Sequence, residues 1–156
     1  MEVIENFLPE EKINYLLDYH KNNFYLKNNL SKKHRDTEVI MCQNDPINFK
    51  KIETILNDFI KKINKNYVIN YFEIVKWPCG ESQAEHFDLQ YHPYTTILYL
   101  NDDFEGGETV VNYKAFMPKK NTLIGFEGNK IIHKVNEIKK GSRYTLPCWY
   151  KYESVS

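Results

Sequence analysis

Tyr94-Thr95-Thr96-Ile97-Leu98-Tyr99-Leu100-Asn101-Asp102-Asp103-Phe104-Glu105-Gly106-Gly107-Glu108-Thr109-Val110-Val111-Asn112-Tyr113 is the stretch whose reading decides the fold. Two runs rich in β-branched and aromatic residues, 94–101 and 108–113, lie either side of the turn residues Asn101-Asp102-Asp103 and Gly106-Gly107. That is the pattern of short strands joined by tight connections. The same rhythm continues outward, with strand candidates at 67–77 and 83–88 before it and at 121–126, 130–135 and 142–152 after it. Pro78, Gly80, Pro118, Gly128-Asn129 and Gly141 punctuate them. Seven short strands with no helix between them predict an antiparallel sandwich or barrel rather than a parallel α/β sheet.

Residues 1–66 read differently. Pro9 followed by Glu10 and Glu11 suits a helix start, and Ile13, Leu16 and Leu17 share one face, so a helix is predicted over 9–22. Asp45 can cap a second helix with Pro46 in its first turn, and Ile52, Ile55, Leu56, Phe59, Ile60 and Ile63 recur at helical spacing. Both helices are expected to pack on one face of the sheet. Between them, 23–44 is broken and polar apart from a short strand candidate at 38–41, and Lys32-Lys33-His34-Arg35 within it suits either a basic substrate lid or a solvated loop.

With 156 residues the chain is read as a single mainly β (α+β) domain, which at this size buries about 70% of its unfolded surface. Twelve tyrosines and nine phenylalanines favour pleated, half-buried strands. Basic and acidic residues balance at 21 each, so no long-range pull toward nucleic acid or an anionic membrane is expected. Three widely spaced cysteines without a CxxC pair suggest neither a disulfide framework nor a thiolate zinc site. With no leader-like N-terminus and no long apolar run, a soluble cytoplasmic protein is expected.

The candidate chemistry centres on His86-Phe87-Asp88, at the end of a strand candidate where residues two apart share a face. The tripeptide alone is a weak signal. His133, in the distant strand candidate 130–135, supplies a second imidazole, and two histidines with one carboxylate make the facial triad of non-haem iron(II) oxygenases. Ten residues later Arg143 follows the turn Lys139-Lys140-Gly141, and a tight turn with adjacent strands would bring it near the metal, with Thr145 facing the same way. Only Arg35 and Arg143 are arginine in a chain with nineteen lysines, which suits a position that needs a planar, two-pronged grip on a carboxylate. His92 reads as an exposed loop residue, with a spare ligand or a partner of Asp88 as alternatives.

From about residue 67 to 152 the chain resembles the 2-oxoglutarate and iron(II)-dependent dioxygenases of the prolyl 4-hydroxylase type. The resemblance runs through Phe72-Glu73-Ile74-Val75-Lys76-Trp77, Glu85-His86-Phe87-Asp88 and Thr95-Thr96-Ile97-Leu98-Tyr99-Leu100-Asn101. It continues in Phe104-Glu105-Gly106-Gly107-Glu108-Thr109, Ile132-His133-Lys134-Val135 and Gly141-Ser142-Arg143-Tyr144-Thr145-Leu146-Pro147-Cys148-Trp149-Tyr150. The opening Val3-Ile4-Glu5-Asn6-Phe7-Leu8-Pro9-Glu10-Glu11 resembles the family's lead-in strand and helix. This likeness implies a double-stranded β-helix, or jelly roll, with iron(II) held by His86, Asp88 and His133. It implies that Arg143 pairs with the distal carboxylate of 2-oxoglutarate, that Tyr99 hydrogen-bonds the same carboxylate, and that Thr145 and Trp149 line the pocket. Dioxygen as co-reactant and ascorbate as reductant are implied with it. Trp77 stands where many relatives carry a tyrosine near the cosubstrate, and its indole donates a hydrogen bond but accepts none.

The implied activity is hydroxylation of an unactivated C–H bond with release of succinate and carbon dioxide, on a prolyl residue of a peptide or protein by family analogy. A free amino acid or other small molecule is the alternative substrate, and a catalytically silent jelly-roll binding module is the alternative class. Retention of Asp88 disfavours halogenation, since related halogenases replace that carboxylate. Nucleic-acid demethylation is disfavoured because no second arginine follows Arg143.

Overall fold

The computed structural model describes residues 1–23, 27–28 and 36–154. The basic run 32–35 of the expected lid lies outside the described residues. β1 (Glu2–Ile4) leads into α1 (Glu10–Asn22), and β2 (Lys27–Asn28), β3 (Glu38–Met41) and a 3-10 turn at Cys42–Asn44 precede α2 (Pro46–Ile63). Strands follow: β4 (Tyr67–Trp77), β5 (Gln83–His86), β6 (Tyr94–Tyr99), β7 (Glu105–Gly106), β8 (Thr109–Val111), β9 (Lys114–Phe116), β10 (Leu123–Phe126), β11 (His133–Val135), β12 (Ile138–Lys140) and β13 (Arg143–Tyr152).

The strands form a seven-stranded sheet in the order β1-β10-β6-β13-β4-β3-β2 and a four-stranded sheet in the order β5-β11-β8-β9, with β12 and β7 pairing separately. Every pairing is antiparallel. The two larger sheets meet through Val39, Val75, Trp77 and Val135, with Ile138 of β12 packed alongside, and again through Val111, Ile124 and Phe126. This is the expected mainly β jelly-roll architecture, with two helices on the outer face of the larger sheet.

Strand alternation sorts the side chains. On β4, Phe72 and Ile74 join the cluster under the helices, while Val75 and Trp77 point the other way into the space between sheets. α2 starts where the sequence places it, because Asp45 accepts the Asn48 N–H (3.4 Å) and Pro46 needs no donor partner. The cap contributes about 1 kcal/mol. Burial of Phe49, Ile52, Leu56, Phe59 and Ile60 contributes about 1.5–3 kcal/mol for each side chain, so packing dominates.

Three local features differ from the sequence reading. β5 ends at His86, so Asp88 sits in the following loop rather than on a strand. β11 and β13 belong to different sheets, so His133 and Arg143 approach one interior from opposite sides and not along adjacent strands. The short strands β7, β9 and β12 carry too few residues for a period to show.

Candidate active site

A cavity of about 350 Å³ opens between the sheets, lined by His86, Asp88 and His133 together with Arg143, Thr145, Trp149 and Trp77. Pairing of β5 with β11 sets His86 directly opposite His133, with ring centroids 4.2 Å apart. Asp88 reaches the same point because its N–H donates to the Gly128 carbonyl (2.9 Å) and its Oδ2 accepts from the Thr95 hydroxyl. A Cβ on Gly128 would lie 2.1 Å from Asp88 Oδ2, so this close approach requires glycine. One ligand atom from each of His86, Asp88 and His133 lies within 4.8 Å of the others.

The tautomers follow from the backbone. Nδ1 of His86 donates to the Ala84 carbonyl (2.9 Å) and Nδ1 of His133 to the Ile131 carbonyl (2.8 Å), since a carbonyl only accepts. In the neutral rings both Nε2 lone pairs then face Asp88 Oδ1, at 3.6 and 3.1 Å. Three acceptors converging on one point need a cation between them, and a borderline divalent metal fits two imidazoles and a carboxylate. Burial pushes the Asp88 carboxyl up, but His133 and His86, whenever their Nε2 atoms carry protons, and the Thr95 hydroxyl donate to it and together hold the group well below the usual carboxylate range.

Arg143 opens β13 and is 1% exposed. Its Nε donates to the Gly107 carbonyl (2.9 Å) and its Nη2 to Thr109 Oγ1 (2.9 Å), while the Trp77 and Tyr99 rings each lie 5.4 Å from the guanidinium carbon. Gly107 holds a positive φ of 68° beneath the arginine stem, where a Cβ would press on Arg143 Cδ at 3.1 Å. Burial lowers the Arg143 pKa, yet no carboxylate pairs with it among the described residues. A buried guanidinium with donors to spare is a site for a carboxylate brought by a ligand.

Trp77, Thr145 and Trp149 line the cavity, whereas the Tyr99 hydroxyl bonds Thr109 Oγ1 from one layer behind. Thr109, not singled out in the sequence, is thus the hydroxyl between Tyr99 and Arg143. His92 is buried rather than exposed: its Nε2 meets Asn70 Nδ2 (2.8 Å), and its ring packs edge-on against Tyr71 at 5.6 Å. Tyr71 and Glu73 also line the cavity, and their period-two spacing with Val75 and Trp77 was the signal that could have found them.

The family model for the 2OG-Fe(II) oxygenase superfamily matches residues 72–151. Human prolyl 3-hydroxylase 2 is 35% identical over 68 residues, covering 38% of this chain, and the rat protein of that name is 34% identical over a segment of equal length. The match spans only 10% of the length of those relatives. Among solved structures, a Pseudomonas putida prolyl-4-hydroxylase superposes with a TM-score of 0.80 at 16% identity, covering 97% of this chain and 92% of that one. A viral collagen prolyl hydroxylase from Paramecium Bursaria Chlorella virus-1 gives 0.76 at 18% identity, covering 98% and 96%. A Trichoplax adhaerens prolyl hydroxylase in complex with a hypoxia inducible factor peptide gives 0.79 at 18% identity, covering 97% and 83%. At these identities the structures share the fold.

Proposed function

Because the chain belongs to the 2OG-Fe(II) oxygenase superfamily, which uses iron(II), 2-oxoglutarate and dioxygen, we propose that it hydroxylates a prolyl residue in a peptide or protein. In this reading His86, Asp88 and His133 hold iron and Arg143 holds the distal carboxylate of 2-oxoglutarate. The observation that carries it is the convergence of three metal-type donors in the same cavity as a buried arginine that has no carboxylate partner among the described residues. When bound, iron supplies the centre at which 2-oxoglutarate is oxidatively decarboxylated and dioxygen is activated, giving succinate, carbon dioxide and a hydroxylated product.

The chain's own residues do the ordering. The Ala84 and Ile131 carbonyls fix both imidazoles with Nε2 inward, and the Thr95 hydroxyl occupies Asp88 Oδ2 so that Oδ1 faces the histidines. Gly107 and Thr109 aim the guanidinium, Tyr99 shares Thr109 with it and packs its ring beside it, and Trp77 covers it. Thr145 and Trp149 complete the lining, and Val75, Val135 and Ile97 keep water from the walls. The resemblance to prolyl hydroxylases supports a peptide or protein substrate, with ascorbate as a reductant. Three free cysteines suit a cytoplasmic setting, and among the described residues no helix is long and apolar enough to cross a membrane.

The test adds iron(II) and then 2-oxoglutarate anaerobically, followed by proline-containing peptides and dioxygen. A visible charge-transfer absorption, succinate release and a gain of one oxygen on proline are expected. Absence of the absorption would favour a silent binding module, and oxygen gained only by a free amino acid would favour the small-molecule alternative.

A further inference from the structure

The cavity contains an acidic side chain to which the iron and 2-oxoglutarate sites give no task. Glu73 stands on β4 between Tyr71 and Val75, lines the cavity, and is 5% exposed. Among the described residues it has no hydrogen bond or ion pair. Burial raises its pKa to about 7, the behaviour of a carboxyl in an apolar wall that lacks a cation. A buried carboxylate left so is costly, and a ligand that supplies a positive charge removes the cost.

The cosubstrate is a poor candidate for that ligand. Both of its carboxylates are anionic, and Arg143 pairs in register with Trp77, four residues along β4 from Glu73, roughly 13 Å away at strand rise. Within the protein, burial lowers the pKa of the nearby His92 ring, so it brings no positive charge at neutral pH.

The surroundings of Glu73 point to the missing partner. Tyr71 lies two residues from Glu73 on the same face of β4 and stacks on Trp149, with centroids 4.7 Å apart and planes 27° apart, and both rings line the cavity. A carboxylate beside electron-rich ring faces is the chemistry that recognises an organic cation. We propose that Glu73 and the Tyr71–Trp149 ring pair bind a positively charged nitrogen on the primary substrate and so select it. The inference rests on the oxygenase reading for its primary substrate. That nitrogen belongs either to a basic side chain next to the target residue in a peptide or to the ammonium of a free amino acid or amide.

The experiment titrates matched probes anaerobically into the protein loaded with iron(II) and 2-oxoglutarate. Acetyl-lysyl-proline amide is compared with its norleucyl counterpart, acetyl-prolyl-lysine amide with its own, and proline amide with acetylproline amide. In at least one pair the cationic member should bind about tenfold tighter or better. The lysyl pairs report a side-chain source and the proline amide pair an ammonium source. Glu73→Gln should cut the preference below about threefold while leaving 2-oxoglutarate affinity in place, and Tyr71→Leu should weaken it with the carboxylate retained. Equal binding within every pair overturns the proposal. So does a preference that survives in folded Glu73→Gln, or loss of 2-oxoglutarate binding in that variant. A wild-type protein that fails to bind 2-oxoglutarate sinks the oxygenase reading instead, and the same pairs titrated without iron or cosubstrate still report on Glu73.

Discussion

Replacement of Gly128 by alanine should weaken iron(II) binding without touching any ligand. The φ of Gly128 lies outside the left-handed region, so alanine adds no backbone strain, and the effect is confined to its new methyl group. That methyl would sit 2.1 Å from Asp88 Oδ2 and 2.6 Å from Thr95 Oγ1, whereas ordinary contact begins at 3.4 Å. The carboxylate must therefore retreat by about 1.3 Å, against a tolerance of about 0.2 Å in metal–ligand distance. Disturbing the groups that orient a metal ligand typically lowers affinity about 10–100-fold, or about 1.4–2.8 kcal/mol. Anaerobic iron(II) titration of Gly128→Ala should show a loss in that range, with circular dichroism confirming the fold. Thr95→Val removes the hydrogen bond to Oδ2 without the clash and should lose about tenfold, the lower end of that range. Wild-type iron affinity in a folded Gly128→Ala protein would refute the assignment of Asp88 as a ligand held by this contact.

Arg143→Met should leave iron binding in place and weaken 2-oxoglutarate binding by about 2–5 kcal/mol, at least about 30-fold, in a direct titration; an unchanged affinity removes Arg143 from the cosubstrate site. Thr109→Val leaves Arg143 Nη2 and the Tyr99 hydroxyl without their shared partner, so urea unfolding should show a loss of about 1–3 kcal/mol, and a neutral result would mean that water replaces the hydroxyl. Folding raises the Glu73 pKa from 4.5 to about 7, so the native state holds the proton more tightly and its stability falls as pH rises between those values. The loss reaches about 3 kcal/mol above pH 7, and Glu73→Gln should therefore gain on the wild type at pH 8 relative to pH 5; a pH-independent difference would contradict the burial argument. His133→Ala should abolish turnover while His92→Ala keeps iron affinity, and comparable iron loss in both would place His92 among the ligands.

Much of this architecture is legible in the residues because strong periods are local. Ile52, Leu56, Phe59 and Ile60 announce α2, and Asp45-Pro46 announces its start, since cap chemistry and helical spacing act within a few residues. β4 and β13 are long enough for alternation to show. What could not be read is set by tertiary pairing. Nothing local to Asp88 says that Gly128, forty residues away, will catch its N–H and pull it off the strand line. Nothing local to His92 distinguishes an exposed loop residue from one folded under by Asn70 and Tyr71. Thr109 stayed hidden for the same reason: its partners Arg143 and Tyr99 arrive from other strands.

The division of labour between the sheets follows from alternation along β13. Tyr144, Leu146, Cys148 and Tyr150 enter the cluster under the helices, while Arg143, Thr145, Pro147 and Trp149 face the cavity. A slip of one residue would exchange the two sets, so the register that packs the helices also points the arginine at its ligand. The pairing with β4 stays regular up to Trp149↔Tyr71 and then jumps to Tyr150↔Ile69, leaving Asn70 unpaired on β4. That bulge re-aims the Asn70 side chain, whose amide meets His92, and His92 closes the turn after Asp88 and lies against Tyr71 beside the Trp149 stack. The irregularity in the longest strand pair thus falls at the end of the cavity where Glu73, Tyr71 and Trp149 are proposed to hold the primary substrate. An asparagine with no ladder partner fixes the aromatic wall there, and the regular register fixes the cosubstrate end.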